Sequence, residues 1–248
     1  MRQLSPTISR EDDIRHDSRG TDYAGALFDA VISGQFEQGQ DLCRAALANP
    51  DVGLQRIHAL LMLPVIRRVG TAWAEDTASF EQTSMAFTLL HRLLDRLAQG
   101  PAPGPGLATS LKLNVARQRL MVAVAPGDTH SFGAMILTQE LRLRGWGVTF
   151  FDHSQCDHVI AALAEQSFDT LAISVSCDES LAGLSDLVAT CRMASRDPKL
   201  EILVGGAAIQ APFGQYGFLQ ADKVGLSIEE VVVALASREV ERQRMKWN

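Results

Sequence analysis

Apolar side chains recur at helical spacing in the first part of the chain, from Tyr23 to about Ala98. Apolar residues three or four positions apart lie on one face of an α-helix, so each such segment predicts an amphipathic helix. Pro64, inside the third segment, predicts a kink because proline has no backbone N–H to donate. The four predicted helices cover residues 24–32, 36–48, 52–74 and 77–98. Their short connections predict an N-terminal four-helix bundle.

Short apolar runs alternate with helical segments in the second part of the chain, from Leu120 onward. The runs predict five strands, at 120–125, 148–151, 170–175, 201–204 and around 223–224. The intervening segments predict helices at 132–144, 157–166, 180–194 and 227–242. Strands that alternate with helices favour a parallel sheet. The pattern predicts a flavodoxin-like (Rossmann-type), doubly wound domain of five parallel strands, and for the whole chain an α/β plus all-α fold class.

Polar and Gly/Pro-rich stretches divide the chain into domains. Residues 1–20 mix acidic, basic and serine side chains with few large apolar ones, which predicts a disordered segment too short for a helix-turn-helix domain. The sequence Gly-Pro-Ala-Pro-Gly-Pro-Gly at 100–106 is incompatible with a helix or a central strand and predicts a linker. We therefore expect a four-helix bundle at 21–99, a linker at 100–110 and an α/β domain at 111–248.

Composition narrows the function classes. The chain has 248 residues, 46% of them hydrophobic, which suits two modest domains. No apolar run approaches the roughly 18 residues of a membrane span, and the polar first residues do not resemble a signal peptide, so we expect a cytoplasmic protein without membrane contact. The net charge of -6 argues against nucleic-acid binding by this chain alone. The four cysteines show no CxxC pair or zinc spacing, and we expect reduced thiols.

The run Pro-Gly-Asp-Thr-His-Ser-Phe-Gly at 126–133 joins the first predicted strand to the first helix of the α/β domain. Such turns lie at the carboxyl edge of a parallel sheet, where ligands bind. His130 lies two residues after Asp128, so the carboxylate can hold one ring nitrogen while the other points outward, as in a metal-binding imidazole. The alternative is a loop histidine that caps the helix at Phe132, with Asp128 as a turn residue.

The motif Asp128-x-His130-x-x-Gly133 resembles the cobalamin-binding signature of the vitamin B12 domains in methionine synthase, the corrinoid mutases and light-sensing regulators. The resemblance implies that His130 is the lower axial ligand of cobalt and displaces the cofactor's own dimethylbenzimidazole base. It also implies that Asp128 orients the imidazole, and that Thr129 contacts the nucleotide tail or its phosphate. The cofactor would be adenosylcobalamin, methylcobalamin or hydroxocobalamin.

Two downstream motifs extend the resemblance over about residues 111–241. The family carries a serine at the end of its third strand and a Gly-Gly pair after its fourth, and here Ser174 and Gly205-Gly206 occur in that order. The family's Ser-x-Leu is replaced by Ser-Val-Ser, which ends at Ser176. The resemblance implies that Ser174 helps to orient the imidazole and that Ser176 contacts the tail or its phosphate.

Three glycines and a thiol lie near the same predicted edge. Gly133, Gly205 and Gly206 are expected where a side chain would obstruct either the backbone or the nucleotide tail of the cofactor, with plain tight-turn glycines as the alternative. Cys177 follows the third strand and is a candidate redox-sensitive thiol, with a quiet buried thiol as the alternative.

The predicted bundle carries a second motif, Gly70-x-x-Trp73-x-x-Asp76-x-x-Ser79-Phe80-x-x-Thr83, which resembles that of the AerR/PpaA antirepressors of purple photosynthetic bacteria. It departs from the light-sensing DNA-binding regulators, whose Trp-x9-Glu-His pattern here ends in Thr83-Ser84. The resemblance implies that Trp73 covers the upper face of the corrin ring. Phe80 either joins it there or packs within the bundle.

The family resemblance implies a cobalamin-binding, light-responsive transcriptional regulator, a photoreceptor and antirepressor of photosynthesis genes that binds a transcriptional repressor of the CrtJ/PpsR type. The alternative is a corrinoid carrier protein of a methyltransferase system, which uses the same pair of domains. A third alternative is a small subunit of a cobalamin mutase, which would need a barrel partner that this sequence does not contain. The sequence contains no P-loop, no Ser-His-Asp set and no paired carboxylates in a plausible cleft, so we do not expect an enzyme.

Overall fold

A computed structural model of the chain describes residues 22–48, 54–99, 119–152, 155–209 and 213–246. The chain divides into two compact units, Met1–Gly104 and Pro105–Asn248, here called the helical unit and the α/β unit. The predicted N-terminal segment and the predicted linker lie outside the described residues. The described helices include none that is long and apolar enough to cross a membrane.

The helical unit contains the four predicted helices, of which the third has three consecutive parts. They are α1 (Tyr23–Ile32), α2 (Phe36–Leu47), α3 (Leu54–Ile57) with a π-helical turn (His58–Met62) and α4 (Leu63–Ala74), and α5 (Phe80–Ala98). Each helix turns an apolar face toward the others, because burying that face stabilises the unit by about 25 cal/mol for each Å² removed from water. The side chains at its centre are almost fully buried: Leu27, Val31, Ile57, Leu61, Leu90, Leu93 and Leu94.

Just before Pro64, where a kink is predicted, the helix contains a π-helical turn. In a regular α-helix the proline ring would clash with the carbonyl of Leu60, four residues earlier, and no N–H would be available to bond it. Here the turn His58–Met62 comes directly before, and the N–H of Leu63 donates to the carbonyl of His58, five residues back. The wider turn lets the helix pass the proline, which lies at the start of α4.

Helix α5 begins at Phe80, three residues later than the apolar spacing predicts. Ser79 is its N-cap, and the N–H of Gln82 donates to the Ser79 hydroxyl over 3.2 Å. The N–H of Ser79 donates in return to the Gln82 side-chain oxygen over 2.9 Å, which completes a capping box. These bonds satisfy two helix donors that have no partner within the helix, so they fix the helix start there rather than at Thr77.

The α/β unit contains one sheet of five parallel strands in the order β2-β1-β3-β4-β5, which confirms the predicted doubly wound fold. The strands are β1 (Arg119–Val124), β2 (Gly147–Phe151), β3 (Thr170–Ser174), β4 (Glu201–Gly205) and β5 (Lys223–Val224). Apolar side chains cover both faces of the sheet, as parallel sheets require. Val124, Ser174 and Gly205 are register partners at the carboxyl end, so three separate sequence motifs meet at one edge.

Helices α6 (Phe132–Leu143), α7 (Cys156–Glu165), α8 (Leu184–Ala194) and α9 (Ile228–Lys246) accompany the strands. The helix predicted at 180–194 is divided into a 3-10 turn, Asp178–Leu181, and α8. Gly183 between them has φ 78°, in the left-handed region that ends a right-handed helix. A second 3-10 segment, Phe213–Leu219, lies between β4 and β5.

Candidate functional site

A tight turn after β1 fixes the position of Asp128. The turn runs from Ala125 through Pro126 and Gly127, and the N–H of Asp128 donates to the carbonyl of Ala125 over 3.1 Å. Gly127 has φ 78°, which is the conformation that the third residue of a type II turn requires, and proline is favoured at the second. The local sequence therefore sets the direction in which the chain leaves the strand.

The carboxylate of Asp128 is fully buried and organises the site. Its Oδ1 accepts a hydrogen bond from the backbone N–H of His130 over 2.9 Å and lies 3.0 Å from Nδ1 of the same histidine. Its Oδ2 accepts a hydrogen bond from the backbone N–H of Ser176. One buried carboxylate thus joins the turn after β1 to the segment after β3 and holds the imidazole between them.

The imidazole of His130 is presented outward. Its side chain is 63% exposed although its Asp128 partner is 0% exposed. When the proton of a neutral imidazole lies on Nδ1 and points at a carboxylate, the lone pair on Nε2 is available to a metal. Helix α6 takes Ser131, not His130, as its N-cap, so the role of helix cap does not account for the histidine.

The two serines of the modified motif differ in what they contact. Ser174 ends β3, and its carbonyl accepts the N–H of Ala125 over 2.9 Å. Within the part of the chain that the structure describes, its hydroxyl makes no hydrogen bond to the imidazole. Ser176 binds Asp128 through its backbone and places its hydroxyl 3.4 Å from the carbonyl of His130. The structure therefore brings Ser176, rather than Ser174, into contact with the Asp128–His130 pair.

Two of the three candidate glycines lie where the backbone leaves no space. A Cβ on Gly206, which has φ 122°, would lie 2.2 Å from the carbonyl oxygen of Val175. A Cβ on Gly205 would lie 2.7 Å from the carbonyl oxygen of Leu226. A Cβ on Gly133, by contrast, would meet no atom within 4 Å. Close backbone contact thus explains the Gly-Gly pair, whereas Gly133 borders open space near the start of α6.

Cys177 completes a group of donors that sequence reasoning did not assemble. One ligand atom each from Asp128, His130 and Cys177 lies within 4.8 Å of the other two. The Cys177 sulfur is 3.0 Å from the hydroxyl of buried Ser180, in the 3-10 turn that Cys177 caps. Thr129, the remaining candidate at this edge, is exposed.

Trp73 and Phe80 form an exposed aromatic pair on the helical unit. Their ring centroids are 6.0 Å apart in an edge-to-face arrangement, and the residues are 48% and 70% exposed. Phe80 therefore does not pack within the bundle, and one of the two expectations for it is removed. Exposed aromatic rings of this kind favour a ligand or partner surface over a core role.

Asp128→Asn is expected to lower the affinity of the site for a metal-centred ligand about 10- to 100-fold, as loss of the group that orients a ligating histidine typically does. Titration of the purified variant with hydroxocobalamin, followed by absorbance, measures the change. Asp186→Asn, an exposed carboxylate on α8, is the matched control and should bind as the unaltered chain does. Equal affinity of the two variants would contradict the role of Asp128.

Comparison with known proteins assigns the α/β unit to a family that binds a cobalt cofactor. Residues 118–235 match the family model of the B12 binding domain. The α/β unit is therefore a B12-binding domain, and its cofactor is a corrinoid. A protein of Rhodobacter capsulatus described as an uncharacterized 20.5 kDa protein in the bchF-crtJ intergenic region is 27% identical over 144 residues, which are 58% of this chain and 71% of that protein.

A solved structure contains the same two kinds of unit, in the same order along the chain. The structure of the Methanosarcina barkeri monomethylamine corrinoid protein matches with a TM-score of 0.67 and 20% sequence identity. The match covers 85% of this chain and 96% of that one. An N-terminal helical bundle followed by a Rossmann-like domain is thus a fold that this chain shares with a corrinoid protein.

The residues at the edge of the sheet fit a corrinoid. His130 is exposed and is held through Nδ1, which leaves Nε2 for cobalt. Gly133 borders space that a larger residue would begin to fill. Both features are those that a cofactor seated on this edge needs.

Proposed function

We propose that this chain binds cobalamin through His130 and acts as a light-responsive antirepressor, a regulator that binds a transcriptional repressor of the CrtJ/PpsR type. The observation that carries the cofactor part is the exposed imidazole held by the buried Asp128 carboxylate. Neutral imidazole is the form that binds cobalt, so the carboxylate assists by keeping the proton on Nδ1 and the lone pair on Nε2.

The regulatory part rests on the helical unit and on the relative. The motif from Gly70 to Thr83 resembles that of the AerR/PpaA antirepressors, and the relative's name places its gene between bchF and crtJ. A gene beside crtJ is consistent with a product that acts on a repressor of the CrtJ type. No zinc-finger spacing or basic excess in the sequence favours direct DNA binding by this chain.

Adenosylcobalamin or methylcobalamin, when bound, would supply a cobalt–carbon bond that light can break. Whether loss of that bond changes the conformation of the protein depends on the residues that contact the cofactor. We propose that Trp73 and Phe80 bind the upper side of the cofactor. Both rings are exposed, and removing their apolar surface from water would stabilise the complex. Loss of the upper ligand of the cofactor alters the affinity for a partner only if that ligand stabilises one conformation of the chain more than another.

A corrinoid carrier of a methyltransferase system is the second candidate. Its support is the likeness in fold to the monomethylamine corrinoid protein, over most of both chains. A carrier has to release the upper side of the cofactor to two enzymes in turn. In that case the aromatic pair would be a docking surface for those enzymes.

The test compares the full chain loaded with adenosylcobalamin before and after illumination. We expect the affinity for a purified CrtJ-type repressor to change about tenfold on illumination, within the roughly 5- to 150-fold range of allosteric couplings. Trp73→Ala should reduce this change, and Phe218→Ala, which alters a comparably exposed aromatic residue on the α/β unit, should not. Repressor affinity that is indifferent to cofactor and light, together with methyl transfer to a partner methyltransferase, would favour the carrier.

A further inference from the structure

The edge of the sheet that holds His130 also presents a thiol and a carboxylate. Asp128, His130 and Cys177 each place a donor atom within 4.8 Å of the other two. Thiolate, imidazole and carboxylate are the three ligand types that bind Zn²⁺ in proteins, with the metal about 2.0–2.3 Å from each. The group is buried on the Asp128 side and open at the exposed His130, so an ion can enter and a water molecule can complete the coordination.

The separations require only small movements. Two ligands about 2.0 Å from a tetrahedral ion stand roughly 3.3 Å apart. Nδ1 of His130 and Oδ1 of Asp128 are already 3.0 Å apart, a hydrogen-bond distance with room for one proton between them. A metal ion can take the place of that proton, and the sulfur of Cys177 approaches by side-chain rotation from its present contact with Ser180.

Burial opposes zinc binding by the other three cysteines, because a thiol binds zinc as the thiolate. Burial raises the pKa of Cys43 to about 12. Burial, and secondarily Cys156, raise that of Cys191 to about 12. Burial and the charge of Asp157 also raise the pKa of Cys156. Among the residues that the structure describes, none of these three belongs to a donor group that includes His130, whereas Cys177 does.

We propose that, in the absence of corrinoid, Asp128, His130 and Cys177 bind one zinc ion, and that zinc and cobalamin exclude each other. A neutral imidazole offers one lone pair. With zinc on Nδ1 the ring proton lies on Nε2, the atom that cobalt needs, and the proton of the thiol passes to solvent. The exclusion rests on the proposed role of His130 in cobalamin binding, whereas the zinc site itself does not.

Zinc binding is tested on the full chain without cofactor, by calorimetric titration with zinc chloride. We expect one ion per chain, and an affinity lowered about tenfold or more in Cys177→Ser and in His130→Ala. Cys156→Ser, which alters another partly buried thiol of the same unit, is the matched control and should bind as the unaltered chain does. Equal zinc affinity in Cys177→Ser and the unaltered chain would overturn the site.

Exclusion is tested by titrating hydroxocobalamin into each protein with and without saturating zinc. We expect zinc to weaken cobalamin binding about tenfold or more in the unaltered chain but much less in Cys177→Ser, each protein being compared with its own affinity for cobalamin without zinc. Cobalamin binding that is unaffected by saturating zinc would overturn the exclusion. A chain that binds zinc through these residues but takes up no corrinoid would contradict the proposed function while leaving the zinc site standing.

Discussion

His130→Ala is expected to lower the affinity of the chain for cobalamin about 100-fold or more, and to change the visible spectrum of what remains bound. The imidazole is the proposed protein ligand of cobalt, and its loss should cost at least as much as the 10- to 100-fold typical of losing a group that only orients a ligand. Titration with hydroxocobalamin followed by absorbance measures both effects.

His158→Ala is the matched control for this substitution. His158 is exposed on α7, in the same unit, and no hydrogen bond ties it to Asp128. Its replacement should leave affinity and spectrum unchanged. If the His130 variant instead bound cobalamin with the affinity and spectrum of the unaltered chain, the assignment of the ligand would be wrong.

Gly206→Ala is expected to lower the free energy of unfolding by about 3 kcal/mol or more. The backbone at φ 122° is strained for any residue with a side chain, at a cost of about 1–3 kcal/mol. The added methyl would also lie 2.2 Å from the Val175 carbonyl, and relieving such overlap typically costs a further 1–3 kcal/mol. Urea denaturation followed by circular dichroism measures the loss.

Gly133→Ala tests whether the glycine at this position is required by close backbone contact, as at Gly206, or by space for the cofactor. Its Cβ would meet no protein atom within 4 Å and lies in the first turn of α6, where alanine is the better helix former by roughly 1 kcal/mol. We expect it to fold at least as stably as the unaltered chain. Equal stability losses in the two glycine variants would contradict the backbone explanation for Gly206.

The fold could be predicted largely from the spacing of apolar residues, because helices and buried strands impose different periods on a sequence. The limits of the elements could not, because they depend on local hydrogen bonds and single dihedral angles. The capping box of Ser79 and Gln82 moved the start of α5, and the left-handed Gly183 divided a predicted helix. Neither changes the apolar pattern.

The part of the site that is formed by residues close together in the sequence could be predicted. Asp128 and His130 are two residues apart on a turn whose Pro-Gly pair sets its shape, and their pairing follows from the sequence. Contacts between distant segments were not predictable in this way. The bond from the Ser176 backbone to Asp128 spans 48 positions and involves no side-chain donor of Ser176. Cys177 joins the group through the same long-range closure.

Electron paramagnetic resonance tests most directly whether the imidazole of this chain binds cobalt. The chain is labelled uniformly with nitrogen-15, loaded with unlabelled cobalamin and reduced by one electron, so that the unpaired electron senses the nitrogen of the lower ligand. A protein imidazole would split each cobalt line into a doublet, and His130→Ala would abolish that pattern. Triplets from the unlabelled dimethylbenzimidazole nitrogen, in a protein that still holds its cofactor, would contradict ligation by His130.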